Sequence, residues 1–553
     1  MTMPATLGLP LAAPPGAVRI RTRMSARSLM LAVLVADLRQ RTRSTRFRVV
    51  AMLAALAAWW CFPAAGSHYL VVAIGAHYRG TYSSAWIGMV LAMTTMLWSL
   101  VGFYVVRGTL QRDFDTRVWQ LLGASSMSRT AYLLAKWASH LAVLLAILAG
   151  TLAVGLAAQW VRAEDRHIDA WELVKPSLVI ALPLLAMSAT LVIWFDMLPW
   201  LRRTAGNVVY FFVWVALLSA GAAQVEQYRH AHPGATTRQM AAHQPWMSDL
   251  PGIQMMQWSI DAQVAPQFPG EAIPDGFCVG CGAMDGKLER FTWTRWDPSP
   301  AVLWGRALWL AIALGGVLPA VPLLDWAAGK TRARDAGSAA AARAPRSLKW
   351  LRAALAPLRR SPRGVLVAAE IDVLLRMRPL WWWAAWVPAW AAQAFGSPHT
   401  VALAMLGGWA LLIDAFSRTG LREQEYRTGE LVWTAPGGAR RLLRARIAML
   451  VGLAWIAAAP GLLHAALARP TLLLPSLVIG ASLALWGLAA ARVTRSSRPF
   501  ELALLVAAYA TSQGAPWLDV AATGSGVVVV HAIGIAVALA LLGAPWVRAR
   551  QKL

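Results

Sequence analysis

The sequence predicts an all-α polytopic membrane protein of about 12 transmembrane helices, arranged as two parallel six-helix repeats. Three observations carry that prediction. Apolar residues make up 58% of the 553 and charged residues only 14%, against roughly 25% charged in an ordinary soluble domain, and the mean hydropathy is +0.50. Apolar runs recur at close to the 20 residues that a helix needs to cross a bilayer. One charged segment is also written twice: Arg112 to Trp137 aligns without a gap on Arg422 to Ile447, pairing Arg112 with Arg422, Asp113 with Glu423, Asp115 with Glu425, Arg117 with Arg427 and Lys136 with Arg446.

Along the chain, the first 28 residues are Pro/Ala-rich and then basic, and do not read as a cleavable signal peptide. Leu29 to Arg48 starts apolar and ends in arginines, which suits a helix lying on the inner membrane surface. Spans are expected at Val49–Ala65, Ala85–Val106, Trp137–Val161, Ser177–Leu198, Asn207–Gln224 and Ala301–Leu324. A second set is expected at Leu380–Phe395, Thr400–Phe416, Ile447–Ala468, Leu472–Ala491, Phe500–Thr511 and Val527–Val547. The organisation read from this is a first unit over residues 1–328 with a long outer loop at 226–300, a basic cytoplasmic linker over 329–363, and a second unit over 364–553. The linker's Ala, Arg, Gly and Pro content reads as flexible. The outer loop has no counterpart in the second unit.

The formal net charge of +26 would suggest nucleic acid in a soluble chain. Here the basic residues fall in alternate connections, including Arg107, Arg129, Arg202, Arg418, Arg440 and Arg498, whereas the connections around Pro398, Arg469 and Asp519 are nearly uncharged. Both termini are therefore expected in the cytoplasm, with lipid headgroups rather than nucleic acid beside the arginines. An even number of spans per unit, each starting inside, makes the two units parallel, unlike the inverted repeats frequent in ion-coupled carriers.

Few residues invite chemistry. Gly329-Lys330-Thr331 lacks the glycine five positions earlier that a phosphate-cradling loop requires, since Leu324 stands there. No His-Glu-x-x-His occurs. Cys278-Val-Gly-Cys281, in the outer loop, reads as a local disulfide or as a pair without a role in preference to a metal site. His140, Asp196, Asp414, His464, Glu501 and His531 lie in or near spans, where ionisable groups are functional candidates. Asp196, Asp414 and Glu501 stand beside Arg202, Arg418 and Arg498, so local pairing is the expected use of these acids. The 30 tryptophans read mainly as interfacial anchors.

Tyr82 to Met89, Phe103 to Arg107, and Arg112 to Trp137 with Ser128-Arg129-Thr130-Ala131-Tyr132 and Lys136 resemble the permease subunits of ABC-2 type transporters. The likeness extends over nearly the whole chain as two fused six-span units. Ser126 stands where the second unit has Pro436, and Leu442 where the first has Tyr132. The resemblance implies an amphipathic elbow helix opening each unit (Leu29 to Arg48, and Val365 to Arg378) and a coupling helix between the second and third spans that docks on a separate ATP-binding subunit. The residues it nominates for coupling are Arg112, Asp113, Asp115, Arg117, Arg129, Arg422, Glu423, Glu425 and Arg427. It implies export across the inner (plasma) membrane by a chain that is not itself an enzyme and carries no cofactor, with ATP and Mg2+ on a partner present in two copies. A membrane enzyme acting on lipid-linked substrates and a secondary carrier are the rival expectations. Cargo is not specified beyond an expectation, from the low charge of the spans, that it is apolar, amphipathic or peptide-like.

Overall fold

The computed structural model describes residues 26–64, 70–74, 78–116, 118, 127–202, 204–234, 239, 249–269, 277–281, 289–327, 329, 349–376, 378–426, 428–512, 517–518, 520 and 525–544. Helices occupy all twelve places where spans are expected. Among the described residues, seven helices are long and apolar enough to cross a membrane, and nine if each of two bent pairs counts as one span.

In the first half, α1 (Ala26–Thr42) is followed after a break at Ser44 by α2 (Thr45–Trp60). Strands β1 (Leu70–Ile74) and β2 (Tyr78–Gly80) lead into α3 (Ser84–Val106). Ser83 caps α3 by accepting from the Trp86 amide, which fixes where the span begins. Gly108, at φ +88°, ends the run and turns the chain into the short α4 (Thr109–Asp115). The next helix, α5 (Arg129–Arg162), starts eight residues earlier than Trp137 because Ser128 caps it on the Ala131 amide. Then α6 (Ala170–Pro176) and α7 (Leu182–Met197) join through a π-helical turn at Ser177–Ala181. They are followed by α8 (Thr204–Ala231), α9 (Ile253–Val264), β3 (Phe277–Cys281), β4 (Glu289–Phe291) and α10 (Pro300–Gly315).

In the second half, the end of the expected linker is helical: α11 (Lys349–Ala354) precedes α12 (Pro362–Arg376). Next come α13 (Leu380–Phe395), α14 (Pro398–Leu411), α15 (Ile413–Arg418), α16 (Arg422–Tyr426) and α17 (Gly429–Thr434). Last are α18 (Gly438–Ala457), α19 (Ala459–Ala468), α20 (Leu473–Thr494), α21 (Arg498–Ser512) and α22 (Ser525–Gly543). The α14–α15 pair bends by 40° and the α18–α19 pair by 61°. The sharper bend falls at Pro460, which cannot donate to the helix ladder. Gln393 serves the polar groups there: its oxygen accepts from the Gly461 amide and its nitrogen donates to the carbonyls of Ala404 and Ala457.

Three of the twelve helices differ from the expectation. α2, α13 and α21, with 16, 16 and 15 residues, are shorter than the length that crosses the hydrocarbon core unaided.

The connections between α2 and α3 and between α8 and α10 also depart from an all-α reading. A four-stranded sheet in the order β3-β1-β2-β4 forms from two distant loops, with β1 antiparallel to β2 and β3, and β2 parallel to β4. Its apolar side sits on the end of α3: Phe291 and Trp293 pack on Trp86, and Met255 and Met256 of α9 join the same buried cluster. Glu164 accepts from Arg79 and from the Tyr82 amide. Burial raises a carboxyl's pKa, but the Arg79 hydrogen bond and charge prevail and hold Glu164 below its ordinary value. Below this cap one apolar cluster runs through both halves, from Phe103, Phe195 and Tyr210 to Trp409, Phe416 and Leu488, and a smaller one gathers Leu110, Phe114, Tyr132 and Ile193.

Candidate functional site

At the arginine-rich end of the helices, α1, α4 and α5 meet around two carboxylates. Asp37 of α1 lies 2.7 Å from Arg41 Nη2, 3.3 Å from Lys136 Nζ and 3.4 Å from Arg112 Nη2, and accepts from the Ser139 hydroxyl at 2.5 Å. Asp113 of α4 lies 2.7 Å from the same Lys136 Nζ and accepts from the Tyr132 hydroxyl at 2.7 Å. Burial by itself would raise the Asp37 carboxyl; Arg41 and Lys136, with the Ser139 hydrogen bond, outweigh it and hold Asp37 well below the ordinary carboxylate range. Burial also lowers the Arg41 pKa, which Asp37 partly offsets.

In the second half α12, α16 and α18 meet in the same way. Glu370 of α12 lies 2.6 Å from Arg422 Nη1 and 3.3 Å from Arg446 Nε. Glu423 of α16 accepts from Arg446 Nη1 at 2.9 Å and from Arg446 Nη2. Three of the contacts correspond. An acid on the helix before the first span holds Arg112 or Arg422 and also Lys136 or Arg446, and the acid at 113 or 423 holds that last cation from the other side.

Neither Asp37 nor Glu370 is among the residues nominated from sequence. The signal was present: Ala36-Asp37-Leu38 and Ala369-Glu370-Ile371 share an Ala-acid-apolar pattern. It lies outside the ungapped stretch, because Asp37 and Arg112 are 75 residues apart while Glu370 and Arg422 are 52 apart. Most of the difference is the β1–β2 segment between α2 and α3, where the second half has only a short turn between Phe395 and Pro398.

The other nominated residues scatter. Asp115 is exposed at the end of α4. Arg129 pairs with Asp325 at 2.6 Å, both half-exposed, and Glu425 pairs with Arg418 at 2.6 Å. Arg117 and Arg427 lie outside the described residues. Glu423 and Glu425 fall in the first turn of α16, where a helix dipole favours acids. Asp113 and Asp115 instead close the far end of α4, so Lys136 and Tyr132 fix the place of Asp113 against the dipole's preference. Cys278 and Cys281 both fall in β3, and their side chains lie outside the described residues, as do Lys330 and Thr331.

Of the acids near span ends, Asp414 pairs with Arg378 at 2.9 Å and with the neighbouring Arg418 at 3.7 Å. Asp196 departs from the expected pairing. Arg202 Nε donates to its main-chain carbonyl, while the Asp196 carboxylate accepts from the Gly108 amide at 2.9 Å and lies 3.9 Å from Arg107. His140 Nε2 contacts Thr109 Oγ1 at 2.9 Å. Among the described residues, no group of three or more His, Cys, Asp and Glu side chains could hold a metal ion.

Each cluster ties three helices together through charge-assisted hydrogen bonds, the stronger kind. A displacement of α4 or α16 is therefore carried into a long helix, α5 or α18, and into the helix lying before the first span. No family model matches the chain, and neither the curated proteins nor the solved structures yield a match.

Proposed function

We propose that this chain is the membrane subunit of an ATP-driven exporter of the ABC-2 type, with two six-span permease units fused in parallel and ATP hydrolysis on separate partner subunits. The arginine-rich face is cytoplasmic in this reading. The observation that carries it is the doubled acid–base cluster, because two equivalent, stiff attachments at one face suit a driver that itself comes as a pair. In each unit the segment around α4 or α16 receives the partner's movement, and Asp37 or Glu370 passes it to the spans.

This reading gives the nominated charges two different tasks. Asp113 and Glu423, with Arg112 and Arg422, hold the segment in place from within. Contact with the partner falls to exposed positions such as Asp115, Tyr426 and Leu431. The low charge of the spans suits an apolar, amphipathic or peptide-like cargo.

The test is to purify the tagged chain from its native membrane, look for an associated P-loop ATPase, and assay Mg-ATP hydrolysis by the complex. Paired changes Asp115→Arg and Leu431→Asp are expected to release the ATPase while leaving the chain folded. A chain that purifies folded and alone at physiological salt, with no ATPase activity, would overturn the proposal.

A further inference from the structure

A second polar cluster joins the two halves to each other, close to the same end of the molecule. Glu501, fully buried in the first turn of α21, accepts from Thr204 Oγ1 at 2.9 Å, from Ser417 Oγ at 2.9 Å and from Asn207 Nδ2. Thr204 and Asn207 open α8 of the first half, and Ser417 lies near the end of α15 in the second. Thr204 Oγ1 is also 3.0 Å from Asp414 Oδ1. Arg107 donates to Asn207 Oδ1 and to the Leu201 carbonyl. Arg498 Nη1 donates to the carbonyls of Tyr104 and Arg107 at 3.0 and 2.9 Å, capping α3 of the opposite half.

These contacts exchange with one another when the halves are exchanged. Thr204 and Arg498 are the first residues of α8 and α21, and Asn207 and Glu501 the fourth. The register that pairs Arg112 with Arg422 pairs Arg107 with Ser417 and Tyr104 with Asp414. In that register Arg107 holds Asn207 as Ser417 holds Glu501, and Thr204 reaches Asp414 as Arg498 reaches Tyr104. Reciprocity of this kind is the mark of a two-fold interface, and the Asn207–Glu501 bond joins equivalent positions across its axis. One turn further along α8, Phe211 of the first half meets Tyr509 of the second at 6.1 Å between ring centroids, closing the seam with apolar surface.

We propose that the Glu501 cluster is the latch of an inner gate, and that cargo passes between the halves where it opens. This deepens the exporter reading and rests on it. A carboxylate that a buried seam holds with neutral donors, Asn207, Ser417 and the Thr204 hydroxyl whose one proton it shares with Asp414, has two acceptable situations: all donors in place, or water admitted. Partial separation leaves it buried and under-bonded, so the seam switches between a closed dry form and an open wet one. Glu501 acts as a positioning residue that sets this balance.

The test reads water access directly. Cys61, Cys278 and Cys281 are replaced by Ser, Phe211→Cys is introduced, and a charged thiol reagent is applied to membrane vesicles with the arginine-rich face outward. Labelling is expected to be slow with Glu501 present. Glu501→Ala should speed it by about tenfold or more, the scale set by losing one hydrogen bond to a charged group. The double change Thr204→Val with Ser417→Ala should act in the same direction, and Tyr509→Cys offers a second reporter if Phe211→Cys folds poorly. Equal labelling rates with and without Glu501, in proteins that remain protease-resistant, would overturn the latch. Since the labelling needs no ATPase, absence of a partner would sink the exporter reading and leave the latch result standing.

Discussion

Removing the Lys136 ammonium should cost far more than removing the Arg112 guanidinium, although both lie beside Asp37. Lys136 Nζ is 2.7 Å from Asp113 and 3.3 Å from Asp37, and its side chain is 4% exposed. Lys136→Met leaves two buried carboxylates short of a cation, a change that costs about 3–5 kcal/mol when a buried pair loses one partner. Asp37 keeps Arg41 and Ser139, and Asp113 keeps Tyr132, which places the expected cost near the lower end, about 3 kcal/mol. Arg112 is 39% exposed at 3.4 Å from Asp37, so Arg112→Ala should cost at most about 1 kcal/mol. In the second half, Arg446→Met removes the described ion-pair partner of Glu423 and one of two for Glu370, and should cost at least as much as Lys136→Met. Unfolding in mixed micelles titrated with SDS gives these differences. A double-mutant cycle of Lys136→Met with Asp113→Asn should return a coupling of about 1–3 kcal/mol. If Lys136→Met cost no more than Arg112→Ala, or if the cycle were additive, the clusters would not hold the segments as argued.

Gly108→Ala should destabilise by at least about 1–2 kcal/mol, the cost of a left-handed backbone for an L side chain. The residue stands at φ +88° and an added Cβ would come within 2.6 Å of Arg498 Nη2; thermal unfolding of the purified chain measures the loss. Gln393→Leu should cost about 1–3 kcal/mol by leaving the Gly461 amide without its acceptor at the 61° bend. Protease nicking between α18 and α19 should rise with it. Glu164 has a folded pKa below its ordinary 4.5, so its contribution to the cap around the sheet is fully present above that value and fades as pH falls through the lower, folded one. Glu164→Gln should flatten the acid sensitivity of the cap, followed by limited proteolysis between about pH 3 and 6; an unchanged profile would assign the sensitivity to another group.

How much of this architecture was legible in the sequence depends on the range of the interaction concerned. The helices answer to local pattern, apolar runs opened by Ser83, Ser128, Ser299 and Ser397 as caps, and their places agree with hydropathy. The sheet does not, because β1 pairs with β3 some two hundred residues away and neither strand carries a long enough alternation to announce itself. The charged segments were visible as a repeat, but their purpose was not. A sequence shows Asp113 and Glu423 as acids in a polar connection, and only folding brings Lys136 and Arg446 against them.

Arg41, which lies beside Asp37, has no counterpart in the second half, since Leu374 stands four residues after Glu370; the two other departures between the clusters are intelligible once the contacts are known. The first half surrounds Lys136 with hydroxyls: Tyr132 bonds Asp113 and Ser139 bonds Asp37. At the equivalent positions the second half has Leu442 and the buried Met449, which can donate nothing comparable. Lysine is a point charge with three donors, whereas arginine presents five in a fixed fork. Arg446 uses that fork to reach both oxygens of Glu423 and one of Glu370. The guanidinium thus supplies in one side chain what the ammonium and two hydroxyls supply together. Leu442 in place of Tyr132 is a weak match when positions are compared singly. Taken with Lys136 and Arg446 it is one half of a compensated exchange, and the quantity kept between the halves is the satisfaction of two buried carboxylates.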